Sequence, residues 1–229
     1  MEEIKVLDHG HVRLVDYMGS DLSIVRNARV SYDAEWRTGE DDGKDENLIN
    51  YLLKHKHTSP FESCNFTFDV RAPIFVIRQW HRHRTWSYSE LSGRYASMKG
   101  EYYVPELNQI TTQSTSNKQM RTDEVHKSAN EIQELLDNVS SYSFSVYNRL
   151  IDEGCPRELA RIILPLGSYS HMFATVDLLN LFKFLQLRLH EHAQYEIRVY
   201  AEAMLSLIEP IVPVSVKAFK QHWLGNVNE

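Results

Sequence analysis

Cysteine is scarce in this sequence, and no apolar run in it is long. The two cysteines, Cys64 and Cys155, allow at most a single disulfide and lie in no CxxC or Cys/His metal spacing. Such sparse use is typical of a reducing compartment. The longest apolar runs, such as residues 74–77, are too short to span a bilayer, and the opening residues lack the pattern of a secretory signal. We therefore expect a cytoplasmic protein without a membrane-spanning segment.

An excess of positive charge is also lacking. The 229 residues carry a formal net charge of −6. A chain of this charge and of ordinary composition is not expected to bind nucleic acid or an anionic membrane through its general surface. Any site for an anion must therefore be a local cluster of basic side chains. The length suits one compact core, and we predict that residues 1–229 form a single domain.

Hydrophobic periodicity predicts a mixed α/β chain with more helix than strand. Alternating apolar residues predict strands within 4–14, over 64–70 and over 168–176. Helices are predicted to begin near residues 20, 48, 73, 125, 156, 177 and 213. The helix from 73 is predicted to run to 84 and the helix from 177 to about 208, while an apolar stripe marks the helix over 125–150. Residues 106–122 are polar and aperiodic and are predicted to form a mobile loop.

The most informative stretch is RQWHRHRTWSYSELSGR, residues 78–94. It holds four arginines and two histidines against a single carboxylate, Glu90. Guanidinium groups suit phosphate, and each charge-assisted hydrogen bond contributes about 1.5–3 kcal/mol. Serine hydroxyls and the backbone N–H groups around a glycine complete the parts of a nucleotide phosphate site. The alternatives are surface ion pairs, or a stacking platform for single-stranded nucleic acid built on Trp80, Trp86 and Tyr88.

The histidine pairs do not have the spacing of a metal site. His81 and His83, like His190 and His192, are separated by one residue instead of the i, i+4 spacing of a helical zinc motif. No cysteine or acidic residue completes a recognisable ligand set at either pair. We therefore predict no metal site.

A family resemblance begins with Arg82-His83-Arg84, followed after seven residues by Ser92, which is similar to the RHRx7S signature of flavin-dependent thymidylate synthases. The signature continues as ELSGRY at residues 90–95, another pattern of that family. Further blocks that resemble the family run along most of the chain: DLS at 21–23, ARVS at 28–31, HTSPFE at 57–62, RQW at 78–80, PRE at 156–158 with Arg161, LP at 164–165, LR at 187–188, HAQ at 192–194 and EI at 196–197. The resemblance implies that family's fold, helix-rich with a central and mostly antiparallel sheet.

The resemblance also implies roles for individual residues. Its dUMP-binding set is Gln79, Arg82, Glu90, Leu91, Ser92, Gly93, Arg94, Arg161 and Arg188. Its FAD-binding set is Ser59, Arg82, His83, Arg84, Glu90, Asp177, Lys183 and His192, and His57 matches a histidine where folate and NADPH reach the flavin. Arginines and a Ser-Gly turn suit a phosphate dianion, and cations suit the pyrophosphate of FAD.

Arg188 is the residue that the resemblance implies for catalysis. The matching arginine lies against the uracil ring and favours ionised N3, and a fixed guanidinium in a dry pocket stabilises charge that develops when hydride reaches C6. The alternative is an ion pair between Arg188 and Glu191 or Glu196 on the same predicted helix.

No residue has the surroundings of an enzyme nucleophile. Cys64 lies in a predicted strand and Cys155 precedes a proline that starts a helix, so neither thiol has an evident activating group. Ser92 has no adjacent base, and we predict that its hydroxyl contacts the substrate. The family reaction, in which reduced flavin supplies the hydride and no enzyme nucleophile is obligatory, suits this sequence.

The sequence departs from the family pattern at the start of the helix that leads to Arg188. Many members carry Asn, Arg and Asn where this chain has Asp177, Leu179 and Lys183. Asp177 then either accepts from the ribose hydroxyls of FAD or caps the helix, and Lys183 can meet a phosphate. We expect the flavin site to differ in detail there.

The resemblance implies that the chain makes dTMP from dUMP, with 5,10-methylenetetrahydrofolate as one-carbon donor and NADPH as the reductant of bound FAD. It also implies a homotetramer with active sites assembled from several subunits, which would place an arginine-rich cluster at the interfaces of an acidic chain. The remaining alternative is a regulatory protein that binds nucleotide without turnover. The complete signature and Arg188 speak against it.

Overall fold

The computed structural model describes residues 3–225. The strands in this range are β1 (Glu3–Val6), β2 (Gly10–Met18), β3 (Asn65–Pro73), β4 (Ser87–Glu90), β5 (Thr111–Gln113), β6 (Arg121–Val125) and β7 (Tyr169–Asp177). The α-helices are α1 (Asp21–Val30), α2 (Asp42–Lys54), α3 (Ile74–Trp80), α4 (Ala129–Asp152), α5 (Arg157–Ala160), α6 (Leu178–Arg188), α7 (Tyr195–Ile208) and α8 (Pro213–Phe219). Within this range no helix combines the length and the apolar character that crossing a bilayer requires.

A five-stranded antiparallel sheet in the order β1-β2-β3-β7-β4 forms the centre of the fold. The predicted alternation of β3 is present, because Phe66, Phe68 and Val70 are fully buried in the main core. β7 pairs with β3 along its whole length, with Phe68 opposite Ala174. The predicted mixed α/β fold with a central antiparallel sheet is confirmed.

Trp80 anchors the end of α3 in the main core. Its fully buried indole stacks on Phe184 of α6 with the ring centroids 4.9 Å apart, and meets Tyr200 of α7 edge to face at 6.0 Å. Burying a large apolar side chain stabilises the fold by about 1.5–3 kcal/mol, and aromatic pairs in these geometries add to that. Trp80 therefore fixes the end of α3, and with it the start of the RHR turn that follows.

The start of α1, where the DLS block of residues 21–23 lies, has a structural use. Asp21 accepts hydrogen bonds from the backbone N–H groups of Val214 and Ser215, at 2.9 and 3.0 Å, and from the Ser215 hydroxyl. Burial raises the pKa of Asp21, although these three hydrogen bonds act in the opposite direction. The DLS block thus ties α1 to the first turn of α8, whose N–H groups have no helical partners.

α4 packs against a second, smaller core. The side of the helix that it buries there is not the side of the predicted apolar stripe. Phe144 and Tyr147 of α4 are buried there together with Ala160 of α5. Leu136, Val139 and Tyr142 of the predicted stripe, by contrast, lie at the surface. Both sides of the helix are apolar, so the periodicity alone does not identify the buried side. The single-domain expectation stays a prediction.

Two long predicted segments are corrected by the structure. The segment predicted as a mobile loop, residues 106–122, contains a 3₁₀ turn at Leu107–Gln109 and most of the β5–β6 hairpin. The hydroxyls of Thr112 and Thr122 lie 2.6 Å apart in that hairpin. The helix expected over 177–208 is interrupted between α6 and α7. In that interval the backbone N–H of His192 donates to Nδ1 of His190, so a side chain takes the place of a helical acceptor.

The basic stretch is also divided differently from the prediction. α3 ends at Trp80 instead of continuing to residue 84, and the serine-rich segment after it contains β4, which pairs with β7. Pro73 is the last residue of β3 and precedes the helix, where its missing N–H removes no helical hydrogen bond.

Candidate active site

The RHR signature forms the turn that follows α3. The hydroxyl of Tyr88, on β4, lies 3.1 Å from the carbonyl oxygens of both Trp80 and His83 and can donate to either. Burial raises the pKa of Tyr88, which keeps the phenol protonated and able to donate. Arg82 and Arg84 are exposed on either side of the half-buried His83. The core and β4 therefore fix the turn from inside while its arginines face outward.

Arg188, the last residue of α6, is held against this turn. Its Nε donates to Nε2 of His83 at 3.1 Å, and its Nη2 donates to the carbonyl of Gln79 at 3.4 Å. Desolvation lowers the pKa of the half-buried guanidinium, but arginine starts so high that the group stays charged. Two of its donors are used by the protein, and the rest remain available to a ligand.

No carboxylate neutralises Arg188 within residues 3–225. The carboxylate of Glu191 interacts with His192 at 3.4 Å, and that of Glu196 pairs with Arg121 at 3.1 Å. The alternative of an intrahelical ion pair at Arg188 is therefore wrong. A partly desolvated guanidinium without an acidic partner is suited to charge that a ligand brings or develops.

His83 is a neutral acceptor in this arrangement. Burial, and then the charge of Arg188, lower the pKa of His83 to about 4. Because Nε of Arg188 is a donor, Nε2 of His83 must accept, and the ring proton lies on Nδ1. The histidine of the signature thus offers an N–H donor from Nδ1 at neutral pH.

The SGR part of the signature forms a tight turn against Arg161. The carbonyl of Ser92 accepts from the N–H groups of Tyr95 and Ala96, and its hydroxyl accepts from the N–H of Arg94 at 3.3 Å. A Cβ added at Gly93 would lie 3.2 Å from Cδ of Arg161, so glycine lets that side chain lie close to the turn. The structure therefore brings Ser92, Gly93 and Arg161 together, whereas the guanidinium of the fourth phosphate candidate, Arg94, lies 3.5 Å from the carboxylate of Glu158.

Glu90 and Leu91 lie between the RHR turn and the SGR turn along the sequence, at the end of β4. A carboxylate oxygen of Glu90 accepts from the hydroxyl of Ser170 at 2.6 Å, and the other lies 4.0 Å from Nε2 of His81. The N–H of Leu91 donates to the carbonyl of His171 at 2.8 Å. Contacts with β7 therefore set the direction of both predicted dUMP-binding residues.

Gln79 belongs to a hydrogen-bonded chain that the sequence did not predict. Its Nε2 donates to Oε1 of Gln194 at 2.5 Å, and Nε2 of Gln194 donates to Oε2 of Glu196 at 2.8 Å. Glu196 is buried, and its other carboxylate oxygen accepts from Arg121 at 3.1 Å and from the hydroxyl of Tyr103 at 3.2 Å. Gln194 and Glu196 lie in blocks that resemble the family, and this resemblance was the only sign in the sequence that they matter. Their hydrogen-bond partners could not be predicted because they are distant in sequence.

The residues predicted to contact folate and part of the flavin lie on the segment after α2. His57 is exposed, and its ring lies 5.8 Å from Tyr51 edge to face and 6.4 Å from His55. Ser59 opens the 3₁₀ turn Ser59–Ser63 and is exposed. Their roles stay predictions.

Asp177 caps α6, as one of its two predicted uses requires. Its carboxylate accepts from the backbone N–H of Asn180 at 2.9 Å and from Nδ2 of the same residue at 2.6 Å. Lys183 is exposed, with its Nζ 3.5 Å from Oδ1 of Asn180. The predicted contacts of Asp177, Lys183 and His192 with FAD stay predictions.

The predicted residues fall into two groups. Gln79, His83 and Arg188 are joined by hydrogen bonds, and Gly93 and Arg161 lie together in the second group with Ser92. Within the described part of the chain, no hydrogen bond or ion pair joins one group to the other.

A cluster of ionisable side chains on the neighbouring strands β2, β3 and β7 was not predicted from the sequence. Asp69 of β3 accepts from Arg13 at 2.6 Å, and Nε2 of His171 and of His11 lie 2.6 and 3.3 Å from its other oxygen. Burial opposes ionisation of Asp69, but these three partners outweigh it and lower the pKa. The cluster lines a cavity of about 340 Å³. Since Arg13 already pairs with the carboxylate, we assign the cluster a structural role, and the expected absence of a metal stays a prediction.

Neither cysteine has the surroundings of a nucleophile. Cys64 is fully buried, and burial raises the pKa of its thiol to about 11. Cys155 is partly exposed, its Sγ lies 3.8 Å from the carbonyl of Pro156, and no basic side chain among residues 3–225 pairs with it. Both thiols are free.

Known proteins resemble the chain over almost its whole length. The family model described as "Thymidylate synthase complementing protein" matches residues 13–214. The flavin-dependent thymidylate synthase of Treponema denticola is 47% identical over 229 residues, covering 99% of this chain and 85% of that protein. That of Thermus thermophilus is 47% identical over 221 residues, covering 96% of this chain and 79% of that protein.

A solved structure shares the fold. The UMP/dUMP methylase PolB from Streptomyces cacaoi, bound with 5-Br dUMP, superimposes with a TM-score of 0.86 at 35% identity, covering 96% of this chain and 98% of that chain. This likeness confirms the fold that the signature implied. The chain therefore belongs to the family of flavin-dependent thymidylate synthases.

Proposed function

We propose that this chain converts dUMP, 5,10-methylenetetrahydrofolate and NADPH into dTMP, tetrahydrofolate and NADP, with FAD as its bound cofactor. The observation that carries the proposal is the state of Arg188. It is fixed by Gln79 and a neutral His83, partly desolvated, and not neutralised by any carboxylate within residues 3–225. The names of its relatives and of its structural neighbour support the substrate and the flavin.

The residues of the signature fit a flavin dinucleotide. Arg82 and Arg84 are exposed, and no ion pair within the described range uses either guanidinium. They are free to bind pyrophosphate, while Nδ1–H of His83 can donate to a carbonyl of the ring system. Bound and reduced, FAD supplies the hydride that completes the methyl group. On the adenosine side, Asp177 already caps α6, so we assign the closer contacts there to Lys183 and His192.

The nucleotide would be held at both ends. Arg161, the Ser92-Gly93 turn and Arg94, which would exchange its 3.5 Å contact with Glu158 for the ligand, would bind the phosphate, because two guanidinium groups match a dianion. Arg188 would lie against uracil, favour ionised N3 and stabilise negative charge that develops on the ring. Glu90, oriented by Ser170, would accept from a hydroxyl or order a water molecule. Burial keeps Cys64 protonated, so the reaction would proceed without an enzyme thiolate.

We also propose that the active sites are assembled between copies of this chain in a homotetramer. Leu135, Val139 and Tyr142 are 63%, 61% and 72% exposed, and they recur at i, i+4 and i+7 on α4. A stripe of this kind on a helix that is already packed by its other side is suited to a second copy. Assembly would bring the phosphate-binding residues of one chain, around Gly93 and Arg161, toward Arg188 of another chain. The two free cysteines support a reducing, cytoplasmic location.

The test is release of tritium from C5 of labelled dUMP, which accompanies replacement of the C5 hydrogen by the methyl group. Protein loaded with FAD should release tritium only when both NADPH and 5,10-methylenetetrahydrofolate are present, with dTMP formed in equal amount. Omission of either compound is the control. Wild-type protein that binds FAD but neither releases tritium nor forms dTMP would overturn the proposed activity.

A further inference from the structure

Glu196 stands at the buried end of a hydrogen-bonded chain that ends in the nucleotide site. Glu196 is 3% exposed, and its carboxylate contacts Arg121, Tyr103 and Gln194. Gln194 connects it to Gln79, which lies 115 residues away in sequence and next to Arg188. None of these four side-chain hydrogen bonds belongs to a helix or a strand pairing. The chain therefore serves side-chain placement.

The chemistry of the links determines the direction of every hydrogen bond. A carboxylate paired with an arginine only accepts, so Gln194 must turn its NH₂ group toward Glu196. Its carbonyl oxygen then faces Gln79, which must use its own NH₂ group there. The carbonyl oxygen Oε1 of Gln79 is left pointing away from the chain. Glu196 thus determines the orientation of both amide groups.

The ligand group that meets this oxygen must be a donor. A phosphate dianion offers acceptors only, and a uracil whose N3 is ionised beside Arg188 has no N–H to give. The 3′-hydroxyl of the deoxyribose is the remaining donor of dUMP. We infer that Glu196 is a positioning residue that, through Gln194, holds Oε1 of Gln79 ready to accept from the 3′-hydroxyl of the nucleotide; the inference rests on the proposed use of dUMP.

Glu196→Gln should reverse the direction of the hydrogen bonds that join residues 196, 194 and 79 without changing the shape of the three side chains. Arg121 and Tyr103 both donate to one position of residue 196, so the new carbonyl oxygen will occupy that position. The new NH₂ group then faces Gln194, which must turn over, and Gln79 must turn over in response. The site would present N–H where it had presented a carbonyl oxygen, and the 3′-hydroxyl would lose its acceptor.

The experiment is calorimetric titration of FAD-loaded protein with dUMP and with 2′,3′-dideoxyuridine 5′-monophosphate, which lacks the 3′-hydroxyl. Wild type should bind dUMP about tenfold more tightly than the dideoxy compound, because the bound nucleotide would cover Oε1 of Gln79, and an acceptor that is covered without receiving a hydrogen bond is costly. In Glu196→Gln the affinity for dUMP should fall about tenfold while the affinity for the dideoxy compound is unchanged. Turnover at saturating dUMP should fall much less than turnover at low dUMP.

The matched control is Glu202→Gln on the same helix, whose carboxylate lies 3.9 Å from Arg198 at the surface and should affect neither nucleotide. If Glu196→Gln does not fold, Gln194→Leu is the second variant. It removes the hydrogen bonds between Glu196 and Gln79 at an exposed residue and should also lower the preference for dUMP over the dideoxy compound. Equal weakening of both nucleotides, or no change in either, would overturn the inference. Wild type that binds neither nucleotide would instead contradict the proposed function.

Discussion

Arg188→Ala is expected to lower turnover about 10²- to 10³-fold, the loss measured when a single preorganised donor is removed from an oxyanion site. The reason is the isolation of the guanidinium, which is half-buried and held by His83 and the carbonyl of Gln79 without a carboxylate partner in the described chain. FAD retention should change much less, because Arg82 and Arg84 remain. The measurements are dTMP formation under saturating substrates and flavin absorbance per chain.

A second readout distinguishes loss of this charge from a general disturbance of the turn. The charge of Arg188 helps to hold the pKa of His83 near 4, so the pKa of His83 should rise in the variant while burial still keeps it below the ordinary value of 6.5. Histidine ring signals in a pH titration by NMR report it. Arg149→Ala, at an exposed arginine that pairs with Glu153 on α4, is the control. Joint loss of flavin and turnover would place Arg188 in flavin binding instead.

Val139→Glu is expected to dissociate the proposed tetramer. The residue lies in the middle of the exposed apolar stripe of α4, so a second copy would have to bury the new carboxylate. An unpaired buried charge costs about 3–5 kcal/mol, which corresponds to roughly 10²- to 4 × 10³-fold weaker association. Light scattering during gel filtration should show the mass falling from that of a tetramer to that of a smaller species, with turnover lost in parallel.

The matched control for this prediction is Ser145→Glu. Ser145 is exposed on another side of the same helix, so the added charge stays in water. Its mass and turnover should equal those of wild type. A Val139→Glu variant that keeps the mass of wild type would show that the stripe is not the contact between copies.

The parts of the structure that the sequence predicts well are those in which neighbours in sequence are also neighbours in space. The alternation of Phe66, Phe68 and Val70 identifies β3, and Asp177 caps the helix that follows it. The turn around Gly93 is likewise local, since its hydrogen bonds span only a few residues. For the same reason the signature could be interpreted as a phosphate site from its residue types alone.

What the sequence did not reveal depends on contacts between distant segments. The pairing of Gln79 with Gln194, and the meeting of Asp69 with His11 and His171, exist only once strands and helices are placed. Periodicity also fails where a helix is apolar on two sides, as α4 is. The break between α6 and α7 depends on a side-chain hydrogen bond between His190 and His192 that competes with the helix.

The most direct test of the proposed activity is a single turnover in the absence of NADPH. Protein whose FAD has been reduced beforehand without oxygen is mixed with dUMP and 5,10-methylenetetrahydrofolate, and flavin absorbance and dTMP are followed together. If bound flavin supplies the hydride, one dTMP should form for each flavin that is oxidised, and a variant lacking both Cys64 and Cys155 should do the same. Formation of dTMP without oxidation of the flavin, or its loss in the cysteine-free variant alone, would contradict a flavin-dependent reaction that needs no enzyme thiol.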